Sequence, residues 1–491
     1  MGTHLSRTVA EGQAFMQFID GKLVDALSGE RIDVLCPSDG KVFASIPAAG
    51  KTDVDRAVKS ARQAFDDGPW SRMPAVERGR CLTRLSLLIE KHGEELAALE
   101  SRDTGKPIRQ GKADVAGTVR YFEFYGGACD KVHGDTIPFL EGYTALTLRE
   151  PHGVVAGIIP WNYPMQILGR LAGAALAMGN TLVVKPAEDA SLTSIRIAEL
   201  ARAAGIPAGV FNVVTGYGRD AGAALSSHPL VDYVTFTGSP LTGTAIQQAA
   251  AINNRGVTME LGGKSPQIVF ADADLDAALP VLVNAIIQNG GQTCSAGSRV
   301  LIEKPIYEQL AAALAERFSK LVAGPHDADL DLGPLINQKQ KNQVAGMVVA
   351  AKEAGIPVLA EGSIHASAPA GGYYQVPVLF GSVDPQAVIA RDEIFGPVLT
   401  LFAFEGEEEA IRLANGTDFG LVAGVWTSDG GRQHRVAKRV RAGQVFVNGY
   451  GAGGGVELPF GGFKKSGHGR EKGFEALYDM SATKTVVFNH G

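Results

Sequence analysis

Between residues 154 and 260 the chain alternates short apolar segments with longer stretches of helical pattern. The apolar segments are candidate strands, and they occupy residues 154–159, 181–185, 210–213, 232–236 and 257–260. Alternating strands and helices predict a mostly parallel sheet, because parallel neighbours are joined by helical crossovers. In such sheets ligands bind at the carboxyl ends of the strands. The pattern therefore predicts a nucleotide-binding type of α/β domain.

A second α/β set follows, from Pro266 to about Asn448. Its strand-like segments are IVF, RVLIE, VLTLF and GVWTS. A chain of 491 residues is too long for one ordinary compact core, so we expect two α/β lobes.

Helical patterns lie before and between these strands. Residues 52–65 and 75–100 each predict one amphipathic helix, the first capped by Thr52 and Asp53. The helix after segment 232–236 should carry its apolar residues on one face, at Leu241, Ala245, Ala249 and Ile252.

Charge and cysteine usage exclude several classes of partner. The formal net charge of −6 is spread without long runs of one sign, which gives no footprint for a nucleic acid or a membrane surface. The four cysteines lie far apart, at Cys36, Cys81, Cys129 and Cys294. This spacing argues against a metal site or a disulfide framework and favours a reducing, cytoplasmic setting.

Cys294 is the candidate nucleophile. It lies among small residues in the segment GGQTCSAG, where a substrate can reach its sulfur. An unperturbed thiol has a pKa of about 8.5, so a base or a positive local field must help to form the thiolate. The alternative of an inert buried thiol applies to the other three cysteines.

Two polar residues lie at the carboxyl edge of the predicted sheet and could assist such a nucleophile: Glu260 at the end of a strand, and Asn162 in the segment that follows strand 154–159. Glu260 closes an apolar strand, and desolvation there would raise its pKa toward the range of a general base. An ion pair with Lys264 is the structural alternative. Asn162 lies between two prolines in PWNYP; a fixed amide donor facing a developing oxyanion is worth roughly 3–4 kcal/mol, although a loop asparagine is more often a turn former.

A third signal is the turn after segment 232–236. The spacing of Gly238 and Gly243, with Ser239 between them, lets the backbone of a helix N-terminus approach a phosphate. Taken alone, glycine at such a turn is more often turn chemistry.

Seven motifs, taken together and in this order, resemble the NAD(P)-dependent aldehyde dehydrogenase superfamily: PWNYP, KPAE, FTGS, ELGGKSP, GQTCSAGSR, DEIFGP and PFGGFKKSGHGRE. The resemblance implies a Rossmann-like cofactor domain over residues 1–126 and 150–261, and an α/β catalytic domain over 262–472. It also implies a small β oligomerisation extension, over 127–149 and 473–491, that forms a dimer or tetramer.

The same resemblance implies roles for individual residues. Cys294 would be the nucleophile, Glu260 the general base, and the Asn162 amide with the Cys294 backbone N–H the oxyanion hole. NAD would be held by Lys185, Glu188, Gly238, Ser239, Gly243, Trp161, Glu393 and Phe395. A carboxylate at Glu188 that accepts from the 2′-hydroxyl would disfavour NADP. The implied reaction is oxidation of an aldehyde to an acid through a thioester.

The chain departs from the family pattern at two places that bear on the substrate. Many members carry a Trp-Lys pair where this chain has Arg170 and Leu171. An arginine there suggests a carboxylate-bearing semialdehyde, with a salt bridge elsewhere as the alternative. The glycine-rich segment 449–455 predicts a wide tunnel, which with Tyr163, Gln288 and Phe460 leaves a bulky or aromatic aldehyde equally open.

Two other classes of function compete with a dehydrogenase. A cysteine hydrolase or acyltransferase could use the same three residues without a redox cofactor, but it has no need of KPAE and DEIFGP. A non-catalytic scaffold is disfavoured because Cys294, Glu260 and Asn162 are all retained.

Overall fold

An eight-stranded sheet lies at the centre of the first lobe. The computed structural model describes residues 11–451 and 455–491. In spatial order the strands are Gly467–His468, Gly256–Glu260, Tyr233–Thr237, Val154–Ile159, Thr181–Pro186, Phe211–Val213, Gln17–Ile19 and Lys22–Val24. The five strands predicted from the apolar segments are confirmed, and they are mutually parallel.

The strand order reverses beside Val154–Ile159. From this strand the chain runs outward on one side through 181–186 and 211–213, and then returns to the other side at 233–237. A crevice opens where neighbouring strands lead to opposite sides, and ligands of α/β sheets bind there. The segments PWNYP and FTGS follow the two strands that flank this switch point.

Helices cover both faces of this sheet, as the near-continuous apolar strands require. They are Lys51–Asp66, Ala75–Lys91, Gly93–Thr104, Ile108–Ala128, Pro164–Ala177, Leu192–Ala203, Ala223–Ser226 and Pro240–Ala251. Two predictions were wrong in detail. The single helix over 75–100 is broken at His92, and the first helix begins after Gly50, whose backbone N–H donates to the Asp53 carboxylate at 3.1 Å.

The helix Pro240–Ala251 turns the opposite face to the sheet from the one predicted. Gly243, Ile246 and Ala250 are buried, whereas Leu241 is 84% exposed and Ile252 73% exposed. A Cβ on Gly243 would lie 2.6 Å from the Leu261 side chain. The small-residue face is therefore the one that can approach the sheet closely, and Leu241 is left outside beside Gly238.

The second lobe is confirmed as an α/β unit. Its seven strands are, in spatial order, Val358–Glu361, Val378–Phe380, Val398–Phe404, Arg299–Glu303, Pro266–Val269, Val422–Trp426 and Gln444–Val447. Its helices are Leu275–Ile287, Tyr307–Ser319, Gln338–Glu353, Val388–Arg391, Gly406–Ala414 and Gly430–Arg439. Cys294 precedes strand Arg299–Glu303, and Glu393 precedes strand Val398–Phe404, so these residues lie at the amino edge of the second sheet. Asn162 and Glu260 lie at the carboxyl edge of the first sheet.

Smaller sheets complete the fold. One antiparallel sheet joins Ser481–Asn489, Tyr143–Pro151 and Thr136–Ile137, after the helix Glu475–Asp479. Smaller sheets pair Gln13–Ala14, Val42–Pro47 and Arg31–Leu35, Val322–Ala323 with Ser363–Ile364, and Phe419–Gly420 with Phe463–Lys464. The domain boundaries remain a prediction; strand Gly467–His468, from the predicted catalytic range, pairs with the first sheet.

Within residues 11–451 and 455–491, no helix is long and apolar enough to cross a membrane. The same residues contain no group of three or more His, Cys, Asp or Glu side chains that could hold a metal ion.

Candidate active site

Cys294 lies in a turn whose backbone is fixed on several sides. The preceding helix ends in a left-handed turn, with φ of 50° at Asn289, 63° at Gly290 and 76° at Gly291. A Cβ at Gly291 would lie 2.2 Å from the backbone oxygen of Gly396, so this position admits only glycine. On the other side the Tyr450 hydroxyl donates to the Ser295 backbone oxygen at 2.7 Å.

The turn presents Cys294 to a cavity of about 110 Å³. The cavity is also lined by the four residues predicted to contact substrate, and by Asn162, so the fold brings these six together: Cys294, Asn162, Tyr163, Arg170, Gln288 and Phe460. Phe446 and Val422 add apolar wall. Of the glycine-rich segment, residues 452–454 lie outside the described residues.

Burial raises the pKa of Cys294 to about 11, while Arg170 acts in the opposite direction. A thiol with that pKa is ionised only to about 1 part in 10⁴ at neutral pH. A group that removes the proton is therefore needed if Cys294 is to act as a nucleophile.

The Asn162 side chain is held beside the Cys294 turn. Its Nδ2 donates to the Gln292 backbone oxygen at 2.9 Å, and the residue as a whole is only 4% exposed. One amide N–H is thus used for support, and the second remains available to a ligand oxygen in the cavity. Tyr163 next to it shares a 2.9 Å hydrogen bond with the Thr293 hydroxyl.

A buried charged network supports this loop, and the sequence analysis missed it. Lys106 donates to the Asn162 backbone oxygen at 3.0 Å and forms ion pairs with Asp114 and Glu100. Asp114 in turn accepts from Gln166 at 2.6 Å. Lys106 lies in the segment DTGKP, before a helix. A lysine flanked by glycine and proline gave no signal that its ammonium would be buried.

Glu260 is a buried carboxylate at the end of its strand. Neither of its oxygens has a hydrogen-bond partner within the part of the chain that the structure describes. Burial, with repulsion from Glu471, raises the pKa of Glu260 well above its usual range, and Arg170 opposes the shift. Gly461 leaves room for the carboxylate, since a Cβ there would lie 2.8 Å from Oε1.

The alternative partner of Glu260, Lys264, is not paired with it. Lys264 is fully buried, and its Nζ has no hydrogen-bond partner among residues 11–451 and 455–491. Burial and Arg299 lower the pKa of Lys264 to about 7, with Glu393 opposing. Glu260 is therefore free of the structural ion pair that its sequence context allowed.

Arg170 lines the cavity, and its charge is paired within the protein. Its guanidinium forms a buried ion pair with Glu471 and stands over the Phe460 ring at 5.3 Å. The salt bridge that competed with substrate binding is thus present. Glu471 lies in the last motif, but nothing in the sequence singled it out, because its partner is 301 residues away.

The remaining predicted residues cluster around the switch point of the first sheet. Lys185 and Glu188 form an ion pair at 2.8 Å, and the Ser239 hydroxyl accepts from the Thr242 backbone N–H at 3.3 Å. From the second lobe, Glu393 accepts from the Gly263 backbone N–H at 2.9 Å. Phe395, with φ of 57°, meets Trp161 edge to face at 5.4 Å.

Comparison with known proteins identifies the family. The sequence profile described as aldehyde dehydrogenase family matches residues 23–486. The chain belongs to this family. It is 42% identical over 474 residues to the mitochondrial aldehyde dehydrogenase of Equus caballus, covering 96% of this chain and 94% of the relative.

Solved structures of aldehyde dehydrogenases have the same fold. A Burkholderia cenocepacia protein classed with these enzymes is 60% identical, with a TM-score of 0.96 over 97% of this chain and all (100%) of that chain. The P. syringae indole-3-acetaldehyde dehydrogenase, solved with NAD+ and IAA, is 40% identical, with a TM-score of 0.95 over 99% and 98% of the two chains.

Proposed function

We propose that this aldehyde dehydrogenase oxidises an aldehyde to a carboxylic acid with NAD, through a thioester on Cys294. The observation that carries the proposal is the joint placement of the Cys294 thiol and the Asn162 amide on one cavity, with the unpartnered Glu260 carboxylate buried close enough to Cys294 to act on it electrostatically. The aldehyde-oxidising relatives named above support it.

Each of the three residues then has a defined role. The Cys294 sulfur attacks the aldehyde carbon, and the Asn162 amide with the Cys294 backbone N–H stabilises the oxyanion that develops. Glu260, whose raised pKa suits proton uptake, takes a proton from the thiol and later from the attacking water. Hydrolysis of the thioester returns Cys294 to its starting state.

The switch point of the first sheet fits a dinucleotide. The turn after strand Tyr233–Thr237 offers the N-terminus of helix Pro240–Ala251 for a pyrophosphate and the exposed Leu241 for an apolar ring. Glu188 is suited to accept from a ribose 2′-hydroxyl, which would disfavour NADP. Glu393 and Phe395 lie on the side toward Cys294 and would hold the nicotinamide end. When bound, the nicotinamide supplies the acceptor for the hydride that leaves the substrate.

The proposal also covers the oligomeric state and the cellular compartment of the enzyme. The sheet of Thr136–Ile137, Tyr143–Pro151 and Ser481–Asn489 exposes Phe488, which is 53% exposed, and the loop between its first two strands exposes Phe139 (60%) and Leu140 (64%). A patch of this kind is typical of a subunit interface, so we expect a homodimer or homotetramer, measurable by light scattering. Four free thiols fit a cytoplasmic enzyme.

The first experiment measures NADH absorbance with NAD and a panel of aliphatic, aromatic and carboxylate-bearing aldehydes. Cys294→Ala should abolish turnover, because the nucleophile is lost. Cys81→Ala, which removes a buried thiol of helix Ala75–Lys91, is the matched control and should retain it.

Other outcomes separate the competing functions. Ester cleavage without NADH from any aldehyde would move the assignment to a cysteine hydrolase. The absence of both activities, with NAD bound or not, would favour a non-catalytic scaffold.

A further inference from the structure

We propose that Lys472 binds a carboxylate at the far end of the aldehyde, so that the enzyme acts on anionic semialdehydes. The inference rests on the proposed function and names its substrate class. It assigns to Lys472 the anion-binding role that the sequence suggested for Arg170.

The charges around the cavity motivate this assignment. Arg170 and Lys472 are the charged side chains that line it, and no acidic side chain does so within the described residues. Arg170 is neutralised by its buried ion pair with Glu471, and its Nη2 also lies 3.4 Å from the Thr237 hydroxyl. Lys472 is thus the cation that gives the cavity wall its positive charge.

Lys472 lies close enough to the buried Glu260 and Glu471 to oppose the rise that burial causes in the pKa of both carboxyls, but it forms no direct ion pair with a described residue. It is half-buried, and among residues 11–451 and 455–491 no carboxylate lies within 4.0 Å of its Nζ. Its Nζ stands between two aromatic rings, 5.2 Å from the centroid of Phe460 and 5.9 Å from that of Tyr121. Such walls exclude water, and an ion pair formed beside them is stronger than one in bulk solvent.

The backbone at Lys472 is also unusual. Its φ is 61°, in the left-handed region that a long side chain rarely adopts. Strain of this kind is found at functional sites, where it fixes the direction of a side chain. Here the chain turns so that Lys472 lines the cavity while Glu471, the preceding residue, pairs with Arg170.

Gln288 supplies a second donor. It lines the same cavity, and its side-chain amide makes no hydrogen bond within the described part of the chain. An ammonium and an amide N–H that line the same cavity can be matched by the two oxygens of a carboxylate. The other two glutamines of the cavity are engaged elsewhere, Gln166 with Asp114 and Gln444 with the Pro459 backbone oxygen.

The test compares aldehydes that differ only in a terminal carboxylate: 4-oxobutanoate with butanal, and 5-oxopentanoate with pentanal. The readout is the ratio of kcat/KM within each pair. Lys472→Met keeps the aliphatic stem over the rings but removes the charge, and should lower the ratio roughly ten- to hundred-fold, chiefly through KM of the carboxylate substrate. Lys472→Arg should restore most of the ratio.

Lys465→Met is the matched control. It removes one positive charge from an exposed residue of the same C-terminal segment, paired with Asp418 at 2.7 Å. Its ratio should equal that of the wild type. Raising the ionic strength should increase KM for the carboxylate substrates and not for the neutral ones.

A measurement on the wild type keeps the test valid if Lys472→Met does not fold. Succinate should inhibit competitively at a concentration at least ten-fold lower than butanoate. Equal inhibition by the two acids, or equal ratios in Lys472→Met and wild type, would overturn the assignment of Lys472. Failure of every aldehyde to yield NADH would instead contradict the proposed function.

Discussion

Replacing Lys106 by Met should both destabilise the protein and slow its reaction. Lys106 is fully buried, and its ammonium is the counterion of Asp114 and Glu100. Removing one member of a buried ion pair leaves an uncompensated charge, at a cost of about 3–5 kcal/mol in the free energy of unfolding. The Asn162 backbone oxygen also loses its 3.0 Å donor, so kcat should fall roughly ten- to hundred-fold as the oxyanion donor shifts.

The change in the free energy of unfolding is measured by urea denaturation, followed by tryptophan fluorescence. Trp70 reports on the first lobe and Trp426 on the second, since both are buried. Lys112→Met breaks an exposed pair between helix Ile108–Ala128 and Glu94 of helix Gly93–Thr104, and should change stability by no more than about 0.5 kcal/mol.

The pH dependence of the loss has a definite sign. Burial raises the pKa of Glu100 to about 7, and Lys106 opposes that shift. Without Lys106 the folded state holds this proton more tightly than the unfolded chain, so stability must fall as pH rises. The destabilisation of Lys106→Met should therefore be larger at pH 8.5 than at pH 6.

A second substitution tests whether the unpaired buried carboxylates cause the destabilisation. Adding Asp114→Asn to Lys106→Met removes one of the two unpaired carboxylates and should recover part of the lost stability. If Lys106→Met were as stable as Lys112→Met, or as active as the wild type, the buried network would not support the Asn162 loop in the way argued.

Three further outcomes are expected. Asn162→Ala should lower kcat by about 10²–10³, because it removes an oxyanion donor, and should also lower the urea midpoint, because the Gln292 backbone oxygen loses its 2.9 Å donor; an unchanged kcat would exclude the oxyanion role. The wild-type rate should rise with pH as Glu260 deprotonates, and Glu260→Gln should lose this rise together with about 10²–10⁴ in rate; a retained pH profile would mean that another group is the base. Gly291→Ala should destabilise the enzyme, since its Cβ would meet backbone at 2.2 Å, whereas Gly346→Ala, with nothing within 4 Å, should be neutral or slightly stabilising. Equal melting temperatures for the two would contradict the close-approach argument.

The sheets could be predicted because their signal is local. The strands over 154–260 are buried on both faces, so apolar runs bounded by turns identified all five of them. The helix Pro240–Ala251 was assigned the wrong buried face, because its orientation depends on the close approach of Gly243 to Leu261. Hydrophobic periodicity does not show which face of a helix has side chains small enough to approach the sheet closely.

Some residues of the site could be predicted from local sequence, and others could not. Cys294, Glu260 and Asn162 could be singled out from their neighbours in the sequence: small residues surround Cys294, and the other two lie at or just after the end of a predicted strand. The order of the seven motifs then indicated that the three residues belong to one active site. Lys106 and Glu471 could not be singled out, since each acts on residues far away in the sequence: Lys106 on Asn162, and Glu471 on Arg170.

The sequence by itself therefore determined the α/β class, the family and the candidate chemical groups, because these follow from local pattern and from motifs. Only the tertiary structure decided which charges are paired. It showed that Glu260 has no ion pair with Lys264, that Arg170 is neutralised by Glu471, and that Lys472 is left as a cation facing the cavity. The physical reason is that the energy of a charge depends on burial and on neighbours from distant segments, and folding alone brings those neighbours together.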